Sequence, residues 1–411
     1  MSLTCGIDWA DDHHDVAVVD GEGTVISEAR ITNDTAGVAD LWALLAEAGE
    51  TAERLTPVAI ETSKGLLVAA LVASGRLVYA INPLATSRYR DRHRSSRAKS
   101  DAIDAIVLAN ILRTDTHAHR PLPANSDEVK ALQVLTRAQQ DAVSDRVQVT
   151  NRIRAVLKQF FPAALSAFER GGKHRLDSAA CRMILSAAPT PAVAAKLSET
   201  KLAVLLRRAG RTRGIALEAA TLHRLLHSER LRQPVPVETA MGHQLCALVD
   251  QLDAVCRSVE QLTAAAETAF VTHERSRVIA SFPGVGSLTG ARLLAEIGDD
   301  VDRFADARAL KAYAGAAPIT RASGKVHWVG ARRAKNDRIA AAGYVWALAA
   351  IRHDPACRAH YQRRRAGGER HTAALRNTFN KLIGKLHHCM TTGQSYDSSI
   401  AFPITAPTRA A

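Results

Sequence analysis

Four acidic residues are placed where they could share divalent metal ions. Asp8 lies in the apolar run CGIDWA, Glu61 ends PVAIET, and Asp101 and Asp104 open KSDAIDAIVLANILR. Spacing of three puts the last two on one helix face. An unpaired carboxylate inside an apolar strand is costly, so Asp8 points to a role beyond folding. Glu61 could be a solvated strand end, Asp101 a neighbour of an N-cap at Ser100, and Asp104 an ordinary first-turn acid. The set carries more than its members. Four gathered carboxylates repel one another unless cations neutralise them, and hard oxygen ligands suit Mg²⁺. Two such ions about 4 Å apart can clamp the attacking and leaving oxygens of a phosphodiester. Asp11, Asp12, His13, His14 and Asp15 read instead as a polar hairpin turn.

Two further stretches carry nucleic-acid chemistry. Residues 87–99 hold Arg88, Arg90, Arg92, Arg94, Arg97 and Lys99 against one acid, with Tyr89 interleaved. Beside a metal site they would hold phosphates next to the chemistry. Further along, PGVGSLTGARLLAEIG resembles a helix-hairpin-helix, with Gly284 and Gly286 in the turn and Leu288, Leu293 and Leu294 packing behind it; such a turn aims backbone amides at phosphate. Ser323 then precedes Gly324 in a basic loop with Arg321, Lys325, Arg332, Arg333 and Lys335, ahead of an Ala-rich helix. By composition Ser323 is a turn residue. As a nucleophile its hydroxyl would need its proton removed or its target polarised.

The elements that must position these residues are legible in outline. Residues 3–32 read as three short strands, LTCGIDWA, HDVAVVD and GTVISEARI, separated by turn-like clusters. A helix over residues 37–48 follows, then a strand at 57–62, a helix at 65–74 and a strand at 77–83. This is the element order of an RNase H-like domain, in which the first and fourth strands are adjacent and bring Asp8 and Glu61 together; periodicity alone also allows other α/β folds. Long helices are expected from Asp127 to about Phe161 and from about Val237 to Glu274. In the second, Leu245, Leu248, Leu252, Val255, Val259 and Leu262 recur at alternating steps of three and four, a coiled-coil seam whose partner is either the first long helix or a second copy of the chain. Residues 162–236 form a helical insert without assignable chemistry, and 391–411 a loose tail.

The 411 residues are 47% hydrophobic, enough for a full core and more than one domain. Only 4% are aromatic and Ala is abundant, which favours packed helices with one sheet. The formal charge of +13 favours a polyanionic partner through counterion release. Residues 301–411 carry 19 Lys and Arg against 6 acids, whereas residues 1–300 balance at 35 against 35. A merely solubilising use of Arg does not explain that segregation. Cys5, Cys181, Cys246, Cys256, Cys357 and Cys389 show no CxxC spacing, so neither zinc site nor disulfide framework is expected and a reducing cytoplasm fits. The opening MSLTCGIDWADD has no basic stretch followed by an apolar one, and no run of about 18 apolar residues follows, so neither export nor membrane spanning is expected.

With GIDWA, AIETS, KSDAIDA, PGVGSLTGARLLAEIGD, the AP and SGK around Pro318 and Ser323, and the closing PACRAHYQRRRAGGERHTAALRNTFNKLIGKL, the chain resembles the DEDD group of insertion-sequence transposases, described as bridge-RNA-guided serine recombinases. The resemblance spans nearly the whole chain. It implies a RuvC-like domain over residues 1–125, a helical coiled-coil domain with the insert over 126–275, and a small helical C-terminal transposase domain over 276–411. It implies Asp8, Glu61, Asp101 and Asp104 as Mg²⁺ ligands and Ser323 as the group that attacks DNA to form a phosphoserine link. It further implies donor and target double-stranded DNA, a guide RNA pairing with both, a dimer or tetramer in which the acids of one subunit work with the serine of another, and a bacterial, nucleoid-associated setting. The alternative is a metal-dependent junction nuclease using activated water.

Overall fold

Short runs rich in Val and Ile, separated by turn residues, build an antiparallel sheet from β1 (Thr4–Trp9), β2 (His13–Val19) and β3 (Val25–Thr32). Helix α1 (Thr35–Glu47), N-capped by the Asp34 side chain, leads to β4 (Val58–Ile60), α2 (Leu66–Ala73), β5 (Val78–Ala80), α3 (Pro83–His93) and α4 (Asp101–Asp115). The strand order is β3-β2-β1-β4-β5, with β4 parallel to β1 and to β5. The first and fourth strands are therefore neighbours, as the sequence reading required. The computed structural model describes residues 2–93, 101–229, 231–324 and 326–401, and the chain divides into two units, residues 1–124 and 125–411.

Each face of the first unit's sheet has its own cover. Cys5, Ile7, Val16 and Val18 pack on Leu41, Leu45, Leu67 and Leu71 of α1 and α2. On the other face α4 lies directly on β1, because Gly6 offers no side chain: a Cβ there would stand 2.0 Å from the Ala105 carbonyl oxygen and 2.4 Å from the Ala109 nitrogen. The Thr4 hydroxyl donates to the Ala109 carbonyl at 3.1 Å and fixes the same approach. Two readings need correction. His13, His14 and Asp15 belong to β2 rather than to the hairpin turn, and residues 83–93 of the basic connection are helical, on the packing of Thr86 and Tyr89.

In the second unit α5 (Asp127–Phe160) and α11 (Val235–Thr272) lie side by side, with Gln139 donating to Thr263 at 3.1 Å, so the partner of the apolar seam is the chain's own first long helix. Leu245, Leu248, Leu252 and Val259 are buried, but Cys256 is buried where the strict repeat expects Val255. A straight helix drifts by about 20° per heptad, which moves the seam by one residue. The insert folds as α6 (Pro162–Ala167), the hairpin β6 (Glu169–Arg170) and β7 (Lys173–His174), α7 (Ala179–Ala187), α8 (Pro191–Ala194), α9 (Glu199–Arg208) and α10 (Ile215–Leu226). These share one core with the ends of α5 and α11, around Phe160, Leu185, Leu202 and Leu252.

The remaining elements are α12 (Ser276–Ala280), α13 (Ser287–Ile297), α14 (Ala307–Tyr313), the hairpin β8 (Ile319–Ser323) and β9 (Val326–Gly330), α15 (Asp337–His353), α16 (Pro355–Ala366), α17 (His371–Thr392) and α18 (Ser398–Ala401). Trp346, fully buried on α15, anchors their core; Phe282 and Phe379 meet it edge-on and its indole N–H donates to the Pro283 carbonyl at 3.1 Å. All six cysteines are free. Among the described residues no helix is long and apolar enough to cross a membrane.

Candidate active site

Register places the acids. Asp8 stands opposite Asp15 across the β1–β2 ladder, and since Ile7 pairs with Ile60 in the parallel β1–β4 ladder, Glu61 follows at the level of Asp8. The close seat of α4 on Gly6 carries Asp101 and Asp104, in its first turn, to the same face. Burial first, then the charges of Asp104, Glu61, Asp101 and Asp15, push the Asp8 carboxyl up to about 6. Asp8 thus feels the charge of the other three acids singled out in the sequence.

Asp104 is buried and Arg90 of α3 stands 2.5 Å from its Oδ1, an ion pair without hydrogen-bond geometry. Asp104 Oδ1 and Arg90 Nε are both buried without a hydrogen-bond partner. A carboxyl raised by burial and by the acids around it, in a set of carboxylate oxygens, fits a hard divalent cation. Arg90, expected on the nucleic-acid side, is here the counter-ion of an acid. Arg88 and Arg92 on the same helix are exposed; Arg94, Arg97, Lys99 and Lys325 lie outside the described residues, as does the side chain of Arg321.

The sequence reading missed two neighbours. Donor atoms of His13, Asp15 and Asp101 come within 4.8 Å of one another. Asp15 is held by Arg30, whose Nη2 and Nε donate to its two oxygens at 2.9 and 3.2 Å. Alternation along β2 was the available signal: once Val16 and Val18 face the core, His13 and Asp15 face Asp8.

In the second unit Ser323 is the last residue of β8, exposed and paired with Val326, at the tip of a hairpin rather than in an open loop. Gly324, at φ +55°, makes the tight turn. Behind the hairpin Asn336 caps α15, accepting from the Arg338 and Ile339 nitrogens, while its Nδ2 donates to Glu296 and to the Tyr313 hydroxyl at 2.6 Å each. Glu296, 1% exposed, also accepts Nε and Nη2 of Arg137 at 2.8 and 3.0 Å. A cavity of about 630 Å³ beside this network is lined by Arg137, Tyr313, Arg332, Lys335, Asn336 and Arg338. Arg333 is exposed, and Lys335 pairs with Asp337 at 2.5 Å. Gly284 is absorbed by packing, since a Cβ there would meet the Ala350 nitrogen at 2.6 Å; Gly286 is exposed at the start of α13.

Known proteins share this arrangement of sequence. Residues 5–162 match a transposase profile of the IS110 DEDD type, and residues 276–362 match the profile described as transposase, IS116/IS110/IS902 family. The mini-circle protein of IS117 from Streptomyces coelicolor is 55% identical over 404 residues, 98% of this chain and 97% of the relative. The chain belongs to the IS110/IS116 family of transposases. Less similar members include the 42 kDa protein of insertion element IS900 from Mycobacterium paratuberculosis, 31% identical over 90% of this chain and 91% of its own length. The 43.6 kDa protein of IS110 from Streptomyces coelicolor is 33% identical over 77% of this chain and 76% of its own length. This transposase is accordingly an enzyme acting on DNA, with a DEDD-type first unit whose acidic cluster suits divalent metal use.

Proposed function

We propose that this transposase cuts and rejoins DNA by attack of Ser323 on a phosphodiester held at Asp8, Glu61, Asp101 and Asp104. The observation that carries the reading is Asp8, desolvated within an apolar strand and crowded by three other acids, an arrangement that folding alone does not favour. Bound there, Mg²⁺ would polarise the phosphodiester and offset the carboxylate charges.

The chain's own groups do the rest. Ser323 Oγ bonds to phosphorus, its proton leaves, and the strand oxygen that departs takes up a proton. The broken phosphodiester is conserved as a phosphoserine ester, so rejoining to a new strand end needs no nucleotide cofactor. The exposed hairpin supports access of Ser323 to DNA, and the cations of the second unit support contact with its backbone. The wider proposal includes a guide RNA pairing with donor and target DNA, and a dimer or tetramer in which serine and acids come from different subunits.

Asp8→Asn tests the reading. DNA binding is expected to persist in gel-shift assays, while Mg²⁺-dependent cleavage falls about a hundredfold or more, because several kcal/mol of transition-state stabilisation are lost. Undiminished cleavage by the variant would remove the acidic cluster from the chemistry.

A further inference from the structure

The hairpin that presents Ser323 has little support along its length. β8 and β9 pair with one another, and among the described residues no other helix or strand packs broadly against them. Trp328 and Val329 of β9 are 51% and 54% exposed, so these large apolar side chains are not seated in a core. The direction of the hairpin is therefore fixed where its two ends join the body.

Both ends join it at one place, the C-terminal turn of α14. On the way in, the Ala316 and Ala317 amides donate to the Lys311 carbonyl at 2.9 and 3.1 Å; on the way out, the Asn336 amide donates to the Tyr313 carbonyl at 2.8 Å. Gly315, at φ +67°, lets the legs close on each other: a Cβ there would stand 2.2 Å from Lys335 Cδ, so the Lys335 stem lies against backbone that has no side chain.

The Asn336 side chain completes this mount. Capping α15 takes only its carbonyl oxygen, which accepts from the Arg338 and Ile339 nitrogens at 2.9 and 3.1 Å, and Asp or Ser would cap as well. Its Nδ2 serves a different purpose, donating to Glu296 of α13 and to the Tyr313 hydroxyl. Asp at this position would set a second carboxylate against Glu296, which accounts for the amide. The Tyr313 hydroxyl also accepts from Arg303 Nη2 at 3.1 Å, and Arg303 Nη1 donates to the Glu296 and Ile297 carbonyls at 2.9 and 2.7 Å, so the mount is tied to the end of α13.

We propose that Asn336 and Tyr313 are positioning residues: through the hydrogen bond between them they set the direction in which the hairpin holds Ser323. The catalytic consequence rests on the reading of Ser323 as the nucleophile, whereas the mount itself does not. Misplacing a reacting atom by about 1 Å through a change remote from the chemistry costs about a hundredfold in rate.

Asn336→Ser and Tyr313→Phe test this in the full-length protein. Ser keeps the cap of α15 and loses both ties of Nδ2, while Phe removes only the hydroxyl. Each variant is expected to bind DNA with unchanged affinity and, at saturating DNA with Mg²⁺, to form the Ser323 adduct about a hundredfold more slowly. The double variant should be little slower than either single one, because both remove the same bond. Hydrogen exchange read by mass spectrometry should quicken across residues 319–330 while α15 stays protected. Adduct formation at the unaltered rate overturns the proposal, as does faster exchange spread equally over α15, which would make the loss one of general stability. If the unaltered protein forms no adduct, the nucleophile reading fails and exchange alone decides the mount: unchanged exchange over 319–330 removes it.

Discussion

Arg90 of α3 stands 2.5 Å from Asp104 of α4, so one member of the acidic quartet already carries a cation supplied by the chain. Both side chains are largely buried, at 21% and 9% exposure. Removing one partner from such a pair strands a charge in low dielectric, typically at a cost of about 3 kcal/mol.

Arg90→Ala is therefore expected to lower the metal-free unfolding free energy by about 3 kcal/mol. Millimolar Mg²⁺ should recover much of that loss in the variant and add less to the unaltered protein, as denaturant titrations with and without metal can show. An equal response in both would mean that Asp104 takes no part in binding the cation.

Asp8 makes stability depend on pH. Its carboxyl sits at about 6 when folded, above the ordinary value near 3.9. As pH rises from about 4 to 6 the unfolded chain ionises first, so the folded state loses ground over that window, and the loss is complete above it. In EDTA, Asp8→Asn should match the unaltered protein below pH 4 and be the more stable of the two above pH 6. A gap that does not vary with pH would contradict the crowding.

Glu296 has the opposite sign. Burial raises its pKa, but the hydrogen bonds and charge of Arg137, with Asn336 and Arg338, outweigh it and hold the carboxyl below its ordinary range. Its stabilisation is present above the unfolded value and is lost as pH falls through the depressed one. Glu296→Gln should cost about 3 kcal/mol at neutral pH by denaturant unfolding, and the difference should shrink as pH falls below 4. Equal stability at neutral pH would remove Glu296 as the tie between Arg137 and the cap of α15.

The sheet was legible because β1 and β2 are short, nearly continuously buried runs bounded by turn residues and because VAI in β4 is wholly apolar. The facing of Asp8 and Glu61 follows from that order alone. Helix α3 was not legible: its Arg-rich sequence lacks a broad apolar stripe, and it is held by Thr86 and Tyr89 against the packing of α4. The counter-ion role of Arg90 was hidden for the same reason, since it depends on how α3 lies on α4. Gly315 under Lys335 is also a tertiary fact; nothing in the string links the two. Ser323 was found by resemblance and not by periodicity, as an exposed hydroxyl beside a turn glycine is commonplace.

The most direct measurement is to trap the protein with its DNA and Mg²⁺, digest it, and map any covalent DNA adduct by mass spectrometry. The account predicts a nucleotide phosphate on Ser323, absent from Ser323→Ala and from Asp8→Asn. Cleaved strands without an adduct, at equal rates in Ser323→Ala and the unaltered protein, would contradict it and identify water as the nucleophile.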